Sequence, residues 1–114
     1  MSNHKQAWLA ITLGLAACGA SVAAEAGAPS AERQRELVSL VRKDCGSCHG
    51  MTLSGGLGPA LLPATLKDKP AQSLVATVLY GRPGTPMPPW RTFLSDEDAE
   101  WVVEMLIKGF PDER

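Results

Sequence analysis

Apolar residues recur with helical spacing in three stretches of the chain. Leu37, Val38, Leu40 and Val41 fall on one face of a first helix predicted over residues 31–45, with Ser30 as N-cap and Glu32, Arg33, Arg35 and Glu36 left to water. Ala71, Leu74, Val75, Val78 and Leu79 repeat at i, i+3, i+4, i+7 and i+8 and predict a second helix. Pro70 suits its first turn, and Gly81 suits the left-handed position beyond its end. The third helix carries signals at both ends. Ser95 caps it, Asp98 stands where a capping box wants an acid, and Asp96 and Glu97 favour its positive start. Ala99, Val102, Val103, Leu106 and Ile107 make the buried face, and Gly109 follows Lys108 as the stop. No run alternates with period two, so the expected fold class is all-α, with about three main helices. Residues 50–69 and 82–93, rich in glycine and proline, are read as loops; loops this long in a small domain usually serve a function.

The first residues follow another pattern. Lys5 and the amino terminus are positive, residues 7–17 are apolar, and Val22-Ala23-Ala24 is a small-residue cleavage signal. The apolar run is too short for a hydrocarbon layer of about 30 Å, which takes roughly 20 residues. A secretory signal peptide over 1–24 is therefore expected, with Glu25 as the first mature residue, 25–30 as a linker and 31–114 as the domain. A buried N-terminal helix is the plainer alternative. Leu15-Ala16-Ala17-Cys18-Gly19 also resembles a lipobox, which would anchor the chain to a membrane through Cys18. Both cleavage patterns send the domain out of the cytoplasm, to the periplasm.

Composition narrows the choices. The 90 residues left after a 24-residue leader make one small domain, which buries only about 60–65% of its unfolded surface; a large apolar cofactor would help hold it together. Apolar residues at 45% and charged ones at 20% exclude a disordered tail. A net charge of −1 and a pI near 6.1 argue against a nucleic-acid partner. Three cysteines do not make a multi-disulfide scaffold, and Cys18 accounts for the odd one.

The first helix leads into Cys45-Gly46-Ser47-Cys48-His49. Cys-x-x-Cys-His is the spacing of covalent c-type haem attachment: two thiols about a helical turn apart reach the two vinyl groups, and the next residue offers an imidazole to iron. A thioredoxin-type dithiol would want a βαβ pattern. A zinc site would want a fourth ligand, and the other histidine, His4, is in the leader. A Cys45–Cys48 disulfide would leave the loops nothing to pack on. One haem c is the expected cofactor, with His49 as one axial ligand. For the opposite face, Met51 is tethered near the His49 side and Met105 suits core filling. Met87, between Pro86 and Pro88-Pro89 on a pre-ordered backbone, is the candidate, with an open or displaceable site as the alternative. A thioether favours ferrous iron, and two filled faces suit electron transfer rather than catalysis, so the expectation is an electron carrier and not an enzyme. A ligand-binding or enzymatic haem protein and an accessory protein for tetrapyrrole handling are the competing readings.

Together, CGSCHG, GLGPAL, a helix ending in Gly-Arg, MPPW and LSDEDAEW resemble a class I monohaem cytochrome c over residues 31–110. The resemblance implies that the first and last helices cross and clasp the haem, and that the Pro59 carbonyl accepts from His49 Nδ1–H. CGSCHGMTLSGGLGPAL and GRPGTPMPPW are similar to the small periplasmic cytochrome c-55X proteins found beside haem d1 nitrite reductase. That likeness implies a monomer exchanging electrons with periplasmic redox proteins, including that reductase, or serving haem d1 maturation in denitrification. A lipobox cysteine departs from that subfamily.

Charge is unevenly placed. Residues 42–91 carry a net +4 and residues 92–114 a net −5. Either this is a solvated surface, or the basic side, around an exposed haem edge, steers towards an acidic partner. Tyr80, Trp90 and Trp101 are expected to pack around the porphyrin. Arg82 and Arg91 suit either the surface or the haem propionates.

Overall fold

The Ser30 hydroxyl accepts the amide of Arg33 at 3.2 Å and starts α1, Ala31–Leu40. The computed structural model describes residues 27–112; the leader, its cleavage sites and Cys18 lie outside the described residues. The first helix does not stop at Cys45. A π-helical segment, Val41–Cys45, passes directly into α2, Gly46–His49, and the Gly46 amide donates to the carbonyls of Lys43 and Val41. The Cys-x-x-Cys-His run therefore ends one continuous helical rod. The π-turn escapes periodicity because the apolar face ends at Val41, where the wider turn begins.

Residues 50–69, read from sequence as a loop, contain a single turn, α3, Pro63–Leu66, with Pro63 at its start. Helix α4 spans Ala71–Tyr80, with Pro70 as the N-cap rather than in the first turn. Helix α5 spans Asp96–Lys108 behind a complete capping box: the Asp98 amide donates to Ser95 Oγ and the Ser95 amide to the Asp98 carboxylate, both at 3.1 Å. Gly81 (φ 70°) and Gly109 (φ 112°) end α4 and α5 in conformations that side chains disfavour. The described residues contain no strand, and the all-α class holds.

The core joins Leu37 and Val41 of the first rod to Leu53, Leu66, Leu79 and Leu94, and to Ala99, Val102 and Leu106 of α5, which packs against α3 and α4. The stripe on α4 is less covered than its pattern suggests. Leu79 alone is buried; Leu74, Val75 and Val78 are half-buried and Ala71 is exposed.

Arg33 is the clearest departure from the expected solvent-facing set. Its Nη2 donates to Asp98 Oδ2 and to the Phe93 carbonyl, each at 2.9 Å, tying α1 to the start of α5. Burial works to raise the Asp98 pKa. The Arg33 hydrogen bond and the Ser95 amide together outweigh it and hold the carboxyl below the usual range. Arg42, counted in the basic half, is also drawn inward: it donates to the carbonyls of Phe110 and Pro111 at 2.9 and 2.8 Å and pairs with Asp112.

Candidate haem site

The helical rod delivers Cys45, Cys48 and His49 in one turn and a half, and the following loop folds back on them through glycines. Gly50, at φ 91°, turns the chain; Gly55 donates to the His49 carbonyl and Gly58 to the Cys48 carbonyl, both at 2.8 Å. A Cβ on Gly56 would stand 2.8 Å from the Cys48 carbonyl, and one on Gly58 would stand 2.8 Å from His49 Cε1 and Nδ1. Gly58 thus leaves space for the flat of the imidazole. By sequence alone these glycines are ordinary loop residues; what separates them from turn residues is close approach to Cys48 and His49, which no spacing displays.

His49 Nδ1 lies 2.7 Å from the Pro59 carbonyl oxygen. A carbonyl can only accept, so Nδ1 carries a proton and donates it, which leaves Nε2 as the ring nitrogen available to a metal. Nε2 has no hydrogen-bond partner among the described residues. This bond fixes the ring and makes the free nitrogen a better donor. Cys45 is half-buried and Cys48 exposed, both as free thiols. Burial, reinforced by the Asp44 carboxylate, pushes the Cys45 thiol up to about 11, so it stays protonated at neutral pH.

Met87 comes from the separate loop of residues 82–93; among the described residues no hydrogen bond joins that loop to the Cys48–His49–Pro59 unit. Its backbone is held within its own loop: the Arg82 amide donates to the Met87 carbonyl at 3.1 Å, and the Met87 amide donates to Thr85 Oγ1 at 3.3 Å. The Met87 side chain is half-buried. Met51 is 67% exposed, and its sulfur lies 3.8 Å from where a Cβ on Gly46 would stand, so it rests on the helical rod itself. Met105 is half-buried on α5.

These residues fit a haem better than a lone metal ion. Among the described residues no three His, Cys, Asp or Glu side chains converge where an ion could be held. The donors suit a group that brings its own equatorial ligands and needs only axial ones. Leu57 (93% exposed) and Leu62 (39%) flank Pro59, and Tyr80 (61%) and Phe93 (63%) flank the Met87 loop. These four apolar side chains are left exposed by the polypeptide.

The aromatic and basic candidates divide. Trp90 and Trp101 both pack on the core, Trp90 also against Phe93 and Trp101 against Phe110. Arg91 pairs with Asp96 and lies over the Tyr80 ring; the Arg82 side chain makes no ion pair among the described residues. A shallow groove of about 510 Å³ between α4 and α5, floored by Val75, Val103 and Ile107, shares no residue with the motif.

Residues 32–106 match the family described as cytochrome c oxidase, cbb3-type, subunit III. The chain is 56% identical over 102 residues to cytochrome c55X of Pseudomonas aeruginosa, covering 90% of this chain and 84% of that protein. Among solved structures, the c-type cytochrome NirC superposes with a TM-score of 0.71 at 61% identity, over 72% of this chain and 96% of NirC. Dihydro-heme d1 dehydrogenase of P. aeruginosa is 41% identical over 76 residues, which are 66% of this chain but only 15% of that protein.

Proposed function

The chain belongs to the c-type cytochromes of the cytochrome c55X type and binds haem c covalently, and from that membership we propose that it carries single electrons between periplasmic redox proteins of a haem d1 nitrite reductase system. When bound, the haem supplies a one-electron couple at its iron. Cys45 and Cys48 would hold it through thioethers, and His49 Nε2 and Met87 Sδ would supply nitrogen and sulfur donors to its iron. The observation that carries this reading is the Pro59 carbonyl on His49 Nδ1–H, which orients the imidazole and leaves Nε2 without a protein partner beside two thiols on the same helical rod. A thioether on the other side raises the potential and keeps small molecules from the iron.

Kinship with the dehydrogenase that acts on dihydro-haem d1 supports the link to that system, as supplier of electrons or in haem d1 maturation. The leader over 1–24 exports the domain, which then diffuses as a monomer; retention of Cys18 as a lipidated first residue is the alternative destination. Arg42 and Arg91 each have an acid beside them, Asp112 and Asp96, so the proposed steering towards an acidic partner draws chiefly on the exposed Lys67, Lys69 and Arg82.

A pyridine haemochrome spectrum with intact mass, on protein matured in a periplasm, tests the reading. One haem per chain on two thioethers is expected, with reduction by the partner slowing as salt rises. Colourless protein, or rates indifferent to salt, refutes the attachment or the docking respectively. Prompt, complete carbon monoxide binding by the reduced protein would favour a ligand-binding or enzymatic role instead.

A further inference from the structure

We propose that Gly81 is the positioning residue for Met87, acting by backbone contact where α4 ends; this rests on the reading of Met87 as the sixth ligand. Gly81 sits at φ 70°, and a Cβ there would lie 2.7 Å from the Met87 carbonyl oxygen, 2.8 Å from Pro88 C and 2.8 Å from Pro89 N. All three are main-chain atoms of the segment that carries the ligand, so no side chain can swing aside to make room.

The last turn of α4 and this loop complete each other. A helix leaves its final carbonyls without intrahelical donors. Here Gly81 donates to Thr77 O at 2.9 Å, Trp90 to Val78 O at 3.0 Å and Arg91 to Leu79 O at 3.2 Å. The residues after Met87 therefore cap the helix that precedes it. Within the loop, Thr85 Oγ1 donates to the Arg82 carbonyl at 2.7 Å while accepting the Met87 amide. The Met87 carbonyl accepts from Arg82, and Pro86, Pro88 and Pro89 restrict the flanking dihedrals. Both polar backbone groups of Met87 are thus satisfied, and its position is set by how closely the loop lies on Gly81. Ordinary contact would require the Met87 carbonyl to retreat by several tenths of an ångström, which a directional metal–sulfur bond tolerates poorly.

Gly84 is the internal control. It has φ 78°, nearly that of Gly81, and lies in the same loop, but nothing lies within 4 Å of a Cβ placed on it. Both glycines have positive φ, so alanine strains the backbone at either position, at 81 with ψ at −171°, and only at 81 does it also push on Met87.

The test compares holoprotein carrying Gly81→Ala, Gly84→Ala or Met87→Ala, read by the sulfur-to-iron absorption of the ferric form, the midpoint potential and carbon monoxide binding to the ferrous form. Gly81→Ala is expected to shift the equilibrium away from the bound thioether on the order of tenfold. The absorption weakens, the potential falls towards that of Met87→Ala, and carbon monoxide binds faster, while Gly84→Ala keeps the wild-type values. Matching behaviour of Gly81→Ala and Gly84→Ala overturns the proposal while leaving Met87 as ligand. Survival of the sulfur-to-iron absorption in Met87→Ala overturns the ligand assignment and this proposal with it. Should Gly81→Ala fail to mature, Gly81→Asn places the same Cβ against the Met87 carbonyl with a residue that tolerates positive φ better. The same loss of absorption is expected from it, and an unaltered spectrum overturns the proposal.

Discussion

Replacing Arg33 by leucine removes the guanidinium from a carboxylate that cannot easily find another partner. Asp98 is 6% exposed, and Arg33 reaches it through Nη2 at 2.9 Å and Nε at 3.3 Å. Hydrogen bonds between charged groups contribute about 1.5–3 kcal/mol. The Arg33 side chain is 34% exposed, so solvent screens part of that attraction and places the coupling near the lower end, about 1.5 kcal/mol. The Ser95 amide still bonds the Asp98 carboxylate, which keeps the cost below that of a wholly orphaned buried charge. The loss corresponds to a fall in Tm of roughly 6–12 °C for a domain of this size. The assay is a double-mutant cycle of Arg33→Leu and Asp98→Asn, by urea unfolding of the holoprotein at neutral and acid pH. Asp98 titrates below its ordinary value of 3.8 in the folded chain. Its stabilisation is therefore full above about pH 4 and disappears as pH falls through the folded value. In Arg33→Leu, burial is less opposed, and loss of stability begins at higher pH. A coupling under about 0.5 kcal/mol at neutral pH, the range of exposed pairs, or one that persists unchanged in acid, refutes this reasoning.

Two further substitutions test the packing. Gly58→Ala places a methyl carbon 2.8 Å from the His49 ring; destabilisation of about 1–3 kcal/mol is expected, with a shifted haem spectrum because the ring must tilt, and a wild-type spectrum would refute the contact. Leu37→Ala, at a fully buried position, is expected to cost about 2–5 kcal/mol in urea unfolding while leaving the haemochrome spectrum unchanged.

The all-α class and the ends of α4 and α5 were legible in the sequence, because stripes, capping residues and terminal glycines act through neighbours a few residues away. The capping box at Ser95 and Asp98 is an example: both partners lie within one turn. The attachment motif was legible for the same reason, since Cys45, Cys48 and His49 work through spacing along one turn of chain. Residues 50–69 concealed α3, a single turn too short to establish a period. The π-turn before the cysteines also lay beyond local pattern.

Other features required residues distant in the chain to meet. Arg33 reads as a solvated charge on α1 until folding brings Asp98 from 65 positions away. Arg42 counts towards a basic half until folding brings Asp112 from 70 positions away. Gly58 and Gly81 look like turn residues, and only the folded chain shows a ring against one and the backbone of Met87 against the other. Sequence by itself determined which groups are available and how nearby backbone bends, since both depend on local sterics and spacing. Tertiary structure alone decided which charges are consumed internally and which glycines admit close contact, because those follow from distances through space that the order of residues does not encode locally.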